Sequence, residues 1–503
     1  MTTTRPDARD TTKRARRGGR GRRAAGVGSR RTPFRSLAVR NFRLFAAGQV
    51  VSVAGTWMMV TAQDWLVLSL TGDSGTALGT VTALQFTPLL LFTLYGGRLA
   101  DRHDKRLLLT VANLVSGALA LALAVLVLAG SVQLWQLYLF ALGLGTVNAV
   151  EVPTRMAFVS EMVGPELLPN ASALSAAYFN TARVVGPALA GLLISAVGAG
   201  TAMLLNAASY LATVTGLRLM RPGELLRTAP PERGVKVVDG LRYVRGHPDL
   251  FVPLALVAVV GLFGFNFQLT LPLLAKTVFH SGATAFGLLT TAFAAGSLLA
   301  AFATTVRSAR PAALTVTASA LAFGLLETAA GWSPTYAWAA VLLFLTGFAT
   351  LYFAQAANHR IQLGSDAAYR GRVMALYTLI LQGLTPLGAL LVGWLTVRHG
   401  ARSGLYVGGL ASSAAALAVL LAGRTRRFLP SHRPEPAPMK IPGLGCLKGC
   451  LFTIVILFVA GWLVWEFSPL QHWIGTTKGY WGVLKDGFNT ATKWIGNLGG
   501  SGN

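Results

Sequence analysis

The chain has 503 residues, of which 53% are apolar and 12% charged, with a mean hydropathy of +0.55. Soluble globular proteins carry about 25% charged residues, so half that share argues against a cytosolic enzyme. Two cysteines, Cys446 and Cys450, are too few and too close together to staple a secreted fold. The composition also excludes a disordered chain and a coiled coil. What it predicts is an all-α membrane protein, with the lipid bilayer as its first partner.

The net charge of +26 is unevenly placed. Fourteen of the 44 basic residues fall in the first 43 positions, against two acids, Asp7 and Asp10. Runs such as Lys13-Arg14-Ala15-Arg16-Arg17 and Arg20-Gly21-Arg22-Arg23 leave little to bury, which predicts a disordered arm over 1–36. No aromatic residue precedes Phe34 to stack on bases, and an apolar segment follows at once. The arm is therefore read as touching anionic lipid headgroups rather than nucleic acid. It is too long for an ordinary signal peptide.

Apolar blocks then run over 43–70, 76–97, 107–129, 134–159, 171–197, 200–219, 249–279, 284–306, 312–331, 335–359, 372–397 and 403–423. At about 20 residues per crossing they predict about twelve spans. With the arm on the cytoplasmic side, the outward joints hold only Lys276, Arg398 and Arg402. The inward joints hold Arg98, Arg102, Lys105 and Arg106, seven basic residues from Arg218 to Arg245, then Arg307, Arg310, Arg360, Arg370 and Arg372. This asymmetry predicts a multi-pass plasma-membrane protein with a cytoplasmic N-terminus.

The longest joint, with Pro222, Pro230 and Pro231, is polar and basic. It divides the chain into a bundle over 37–220, a cytoplasmic linker over 221–248 and a second bundle over 249–424. The halves echo each other. Gly186 and Gly191 recur as Gly388 and Gly393, and Asn148…Arg155 has a counterpart in Asn358-His359-Arg360. Parallel repeats of this kind belong to transporters that bind substrate between the halves.

After the twelfth block, a Pro-rich linker over 425–445 precedes an apolar segment over 446–467, long enough for a thirteenth crossing. The tail over 468–503 places Trp473, Tyr480, Trp481, Leu484 and Phe488 at helical spacing, a pattern suited to an interfacial amphipathic helix. A C-terminus outside the cell follows. Met439 opens this unit, which suggests a fused single-span protein.

The joint between blocks two and three reads Gly97-Arg98-Leu99-Ala100-Asp101-Arg102-His103-Asp104-Lys105-Arg106. It resembles the loop signature of the major facilitator superfamily, Gly-x-x-x-Asp-Arg-x-Gly-Arg/Lys-Arg/Lys. Asp104 replaces the second Gly, as expected of the branch resembling enterobactin and macrolide exporters. In physical terms Gly97 is expected to let helices approach closely, and Asp101 to face a helix N-terminus while Arg102 clamps it. Block five reads Asn180-Thr181-Ala182-Arg183-Val184-Val185-Gly186-Pro187-Ala188-Leu189-Ala190-Gly191, which is similar to the antiporter signature of the same superfamily. Ala173, Ala182 and Ala190 stand where that signature has Gly. Gly186, Pro187 and Gly191 serve either packing alone or conformational exchange.

The resemblance implies a twelve-helix major facilitator fold of two six-helix bundles, acting as a monomer. It also implies proton-coupled efflux of an amphiphilic small molecule such as a drug, siderophore or secondary metabolite. An importer of the same fold and a non-transporting receptor or scaffold are the alternatives.

Three residues are candidates for proton coupling. Arg183 falls near the middle of a span, where an unpaired charge is costly, and Glu151 is the expected partner at similar depth. Glu151 also stands four residues before Arg155, the favourable order for a helical ion pair. The group is then either a fixed latch or a switching pair. Asp64 shares a helical face with Trp57 and Thr61, and serves either as a proton carrier or as a carboxylate already touching water. Superfamily members line their cavity with helices one, four, seven and ten. By that resemblance the cavity candidates are Trp57, Gln63, Asn148, Asn266, Gln268, Tyr352, Gln355 and His359. Glu327 lies near the outer end of block nine and is expected to reach solvent. No Gly-x-x-x-x-Gly-Lys-Ser/Thr occurs and no His/Cys/acid cluster has metal-ligand spacing, so no cofactor, metal or enzyme activity is expected.

Overall fold

A computed structural model describes residues 34–226, 237–305, 309–366 and 369–426. Most of the basic arm, Arg307, the Pro-rich linker beyond Arg426, both cysteines, the thirteenth crossing and the amphipathic tail lie outside the described residues. Those described form helices and no strand. In chain order these are α1 (Arg40–Leu70), α2 (Gly75–Arg102), α3 (Lys105–Leu128), α4 (Leu134–Val197) and α5 (Ala199–Arg218). A short α6 (Val237–Arg245) in the linker precedes α7 (Pro248–Val259), α8 (Phe267–Leu273), α9 (Ala283–Thr305) and α10 (Ala313–Trp332). The last four are α11 (Tyr336–Gly364), α12 (Arg370–Gly383), α13 (Thr385–His399) and α14 (Ser403–Arg426).

Among the described residues, 10 helices are long and apolar enough to cross a membrane. One of them, α4, has 64 residues, about three times what a bilayer core of about 30 Å admits at about 1.5 Å per residue. It folds at Gly164, where φ 71 and ψ 173 are open to glycine, and Pro165 cannot continue the hydrogen-bond ladder. The stretch Pro248–Val278 is interrupted differently. Two π turns, Val260–Gly264 and Leu274–Val278, bracket α8.

Helix starts follow from short polar caps. The Ser74 hydroxyl accepts from the Ala77 amide at 3.3 Å, and the Asp104 carboxylate accepts from the Leu107 amide at 3.0 Å. Inside the helices, many Thr and Ser hydroxyls donate to carbonyls about one turn back, as Thr61 does to Trp57 at 3.1 Å. That is how hydroxyls are satisfied where no water is at hand.

The helices pack as two groups. In the first, α1 and α3 lie on α4 and α5, and α2 lies on α4. In the second, α11 lies on α9 and α10, and α10 on α14. Phe42, Phe45 and Phe158 fill one core, and Phe323 and Phe353 the other. The groups meet along α4·α9 and α2·α13.

Glycines set this seam, and they do so twice over. A Cβ on Gly186 would come within 2.6 Å of the Trp57 Cβ on α1, in the same group. One on Gly191 would meet the Ala283 carbonyl at 2.8 Å on α9, in the other group. The second group repeats the arrangement. Gly388 lies against Asn266 and the Leu262 carbonyl of its own group, while a Cβ on Gly393 would stand 2.7 Å from the Gly75 carbonyl on α2.

Candidate functional site

Among the described residues, the polar and aromatic contacts between the two groups lie towards one end of the seam. Trp65 stacks on Phe286 with ring centres 6.2 Å apart. The Lys276 ammonium pairs with Asp73 at 2.7 Å and stands 5.2 Å from the Trp65 ring centre. Ser195 and Thr284 hydroxyls lie 2.7 Å apart, and the Thr291 hydroxyl donates to the Val184 carbonyl at 3.1 Å. This is the end whose joints, Thr71–Ser74 and Gly198, are poor in basic residues. The opposite end carries Arg102, the Gly164 elbow and Arg360.

Arg183 stands at the inner limit of this closed stretch. Its guanidinium lies 5.4 Å from the Trp57 ring centre and 5.8 Å from that of Phe293, so it touches both groups of helices. Phe179, one turn earlier, packs edge-on against Trp57 with ring centres 6.0 Å apart. The expected pairing with Glu151 is not found. Glu151 instead pairs with Arg155 at 3.0 Å. The reason is the elbow: Glu151 is thirteen residues before Gly164 and Arg183 nineteen after it, which offsets their depths by about 9 Å at about 1.5 Å per residue. Arg183 has no acidic partner among the described residues, and aromatic faces take that place.

Asp64 is 5% exposed and makes no hydrogen bond or ion pair with another described residue. It immediately precedes Trp65, which crosses the seam. Glu327 corrects the sequence expectation outright. It is 2% exposed, covered by α14 and by the π turn Val260–Gly264, and so does not reach solvent.

The cavity candidates divide. Asn266 is buried, and its amide donates to the Leu262 carbonyl at 2.9 Å and the Phe263 carbonyl at 3.2 Å, satisfying groups that the π turn frees. Gln63 is buried. Trp57, Asn148, Gln268, Tyr352, Gln355 and His359 are half-buried. Tyr352 stacks on Phe348 with ring centres 5.8 Å apart. The structure joins Trp57 with Arg183; it does not gather the rest into one cluster of direct contacts.

The loop between α2 and α3 is built differently from the expectation. Gly96, not Gly97, is the close approach, meeting the Ala149 carbonyl on α4, while a Cβ on Gly97 would meet nothing within 4 Å. Successive helical residues point about 100° apart, so only one of the pair can face α4. Asp101 and Arg102 are exposed, and no ion pair joins them, because neighbours in a helix do not face each other. Asp104 caps α3 instead. Lys105 pairs with Glu161 on α4 at 2.6 Å, and Arg106 donates to the Leu217 and Arg218 carbonyls at 2.7 and 3.0 Å. The loop is thus bolted to the elbow of α4 and the end of α5. Glu161 escaped the sequence reading, although it is the acid nearest the Gly164 elbow on its N-terminal side.

Comparison with known proteins places this architecture. Residues 31–433 match the family described as transmembrane secretion effector. The multidrug efflux pump Tap of Mycobacterium tuberculosis is 27% identical over 382 residues, covering 70% of this chain and 86% of Tap. The staphyloferrin A transporter of Staphylococcus aureus is 25% identical over 265 residues, covering 51% of this chain and 65% of that protein. A stretch of 65 residues is 77% identical to the serine/threonine-protein kinase PkaA of Streptomyces coelicolor, but it spans 13% of this chain and 12% of that kinase. Among solved structures, the nucleoside transporter NupG superposes with a TM-score of 0.61 at 11% identity, covering 78% of this chain and 99% of NupG. That likeness establishes the fold. The chain belongs to the transmembrane secretion effector family, a family of major-facilitator-type membrane transporters rather than of enzymes.

Proposed function

We propose that the chain exports an amphiphilic small molecule, such as a drug, siderophore or secondary metabolite, in exchange for protons. On this reading the chain crosses the membrane twelve times, with each arm of α4 and the 20-residue α5 taken as one crossing apiece. The basic joints are cytoplasmic on this reading, as is the N-terminal arm. On the same reading the substrate path between the groups opens inward, and the Lys276–Asp73 pair and the Trp65–Phe286 stack close its far end.

The observation that carries the proposal is the placing of Asp64. A carboxyl buried without a partner is far better tolerated neutral than ionised. It adjoins Trp65, whose stacking on Phe286 holds the far end of the seam shut. Taking up or losing a proton there alters the helix that must move for that end to open. Arg183 and Trp57 provide the floor of the same seam, with a fixed charge against aromatic faces suited to an amphiphile. The named functions of Tap and the macrolide efflux protein of Streptococcus pyogenes, the latter 25% identical over 356 residues, support export as the direction.

The test is flux in inverted membrane vesicles with an acid interior. An exporter accumulates a macrolide or a fluorescent amphiphile inside, releases protons in doing so, and stops when a protonophore is added. Depletion of the probe from such vesicles would make the chain an importer. Flux indistinguishable from vesicles lacking the protein, over a panel of amphiphiles, would reject transport by proton exchange.

A further inference from the structure

Glu327 is the sole ionisable residue of α10, and its Oε2 is buried with no hydrogen-bond partner. The carboxyl occupies space that two glycines leave free. A Cβ on Gly264, in the π turn, would stand 3.0 Å from Oε2, and one on Gly408 of α14 would stand 2.7 Å from Oε1. The same Gly408 position is 2.7 Å from the Phe263 carbonyl of the π turn. The Phe323 ring, one turn back on α10, closes the pocket against Gly264.

No charge on the surrounding elements answers this carboxyl. On the interrupted crossing Pro248–Val278, Asp249 faces Arg310 and Arg360, and Lys276 faces Asp73. Between Arg402 and Arg424, α14 offers Tyr406, whose hydroxyl donates to the Gly331 carbonyl at 3.0 Å. On α11, Tyr336 donates to the Ala285 carbonyl at 2.8 Å, Tyr352 stacks on Phe348, and His359 and Arg360 lie near its far end. On α13, Arg398 lies over the Trp394 ring, next to the terminal His399.

An ionised carboxylate in such a place loses its hydration with no cation or donor in return. The neutral acid loses far less, and it gains an O–H that can donate towards the second lone pair of the Phe263 carbonyl, the first being taken by Asn266. Such turns recur at functional sites because they leave backbone groups to be satisfied from outside the helix. We propose that Glu327 is a second proton-binding site, lodged in the second helix group, whose occupancy sets how tightly α10 and α14 hold the π turn Val260–Gly264. With the proton on, the acid sits against Gly264 and Gly408. With the proton off, the carboxylate must draw in water or push these helices apart. Its use in transport rests on the proton-exchange reading above, whereas proton binding itself does not.

Infrared difference titration of the purified full-length protein tests the site. The expected result is a protonated-carboxyl band near neutral pH that is lost in Glu327→Gln and kept in Asp64→Asn. Glu327→Asp should keep the band at a shifted position. A band of equal size and position in the wild type and Glu327→Gln overturns the proposal. If Glu327→Gln does not fold, Glu327→Asp decides by whether the band moves. Hydrogen exchange of the Val260–Phe265 amides supplies the second readout. Its protection factor, the rate corrected for intrinsic base-catalysed exchange, should fall with rising pH in the wild type and lose that dependence in Glu327→Gln; an unchanged dependence of the protection factor in the variant would overturn the link to the π turn. Vesicle flux keeps the two readings apart, since a Glu327 band without flux rejects the exporter alone, and flux without the band rejects Glu327 alone.

Discussion

The Arg183 guanidinium lies 5.4 Å from the centre of the Trp57 ring, and no carboxylate among the described residues comes within ion-pair distance of it. A cation held by aromatic faces on two helix groups keeps its hydrogen-bond donors uncommitted. A cation–π contact of this kind contributes about 0.5–2 kcal/mol, less than a buried ion pair loses when broken. Arg183 is thereby anchored without being neutralised.

Glu151 and Arg183 should therefore behave as independent sites. The stability losses of Glu151→Leu and Arg183→Leu are expected to add within about 0.5 kcal/mol in the double variant. Thermal unfolding of the four purified proteins checks this. Recovery of stability in the double variant would mean that the two residues are in contact after all.

Asp64→Asn is expected to abolish gradient-driven accumulation while leaving substrate exchange, because exchange moves no net protons. Counterflow and gradient-driven uptake in the same proteoliposomes separate the two. Normal pumping by Asp64→Asn and by Glu151→Gln would remove both as coupling sites.

The Lys276–Asp73 pair is partly exposed, so its loss should cost at most about 1 kcal/mol of stability. It joins the two groups, however, and its loss is expected to bias the protein towards opening at that end. A cysteine introduced at Thr76, which lies against Gly393 across the seam, should react faster with an impermeant thiol reagent in Lys276→Met than in the parent. Equal rates would show that the pair does not hold the seam.

Neighbouring glycines on α2 should respond with opposite sign. Gly96→Ala pushes a methyl into the Ala149 carbonyl and is expected to cost about 1–3 kcal/mol. Gly97→Ala meets nothing within 4 Å and should raise stability by about 0.5–1 kcal/mol through helix propensity. Unfolding midpoints of the two variants give the answer, and destabilisation by Gly97→Ala would restore the packing role that its place in the loop signature suggests.

Much of this protein follows from the order of its residues. Low charge and long apolar blocks require membrane helices, because an exposed backbone has no partner in lipid. The loop signature and the Gly186-Pro187…Gly191 stretch carry the family, and the glycine pairs of blocks five and eleven are recurring small residues visible at equal spacing. What sequence could not supply was rotation and depth. Position along a chain does not say which of Gly96 and Gly97 turns towards α4, nor where a 64-residue helix folds back. The elbow at Gly164 sets Glu151 and Arg183 at different depths, and so hands Arg183 to Trp57 and Phe293. Glu327, counted from the end of its helix, lies near the surface; it is buried because the π turn and two glycines of other helices close over it. A carboxyl's environment is made by the elements packed against it, and those neighbours are fixed only when the helices come together.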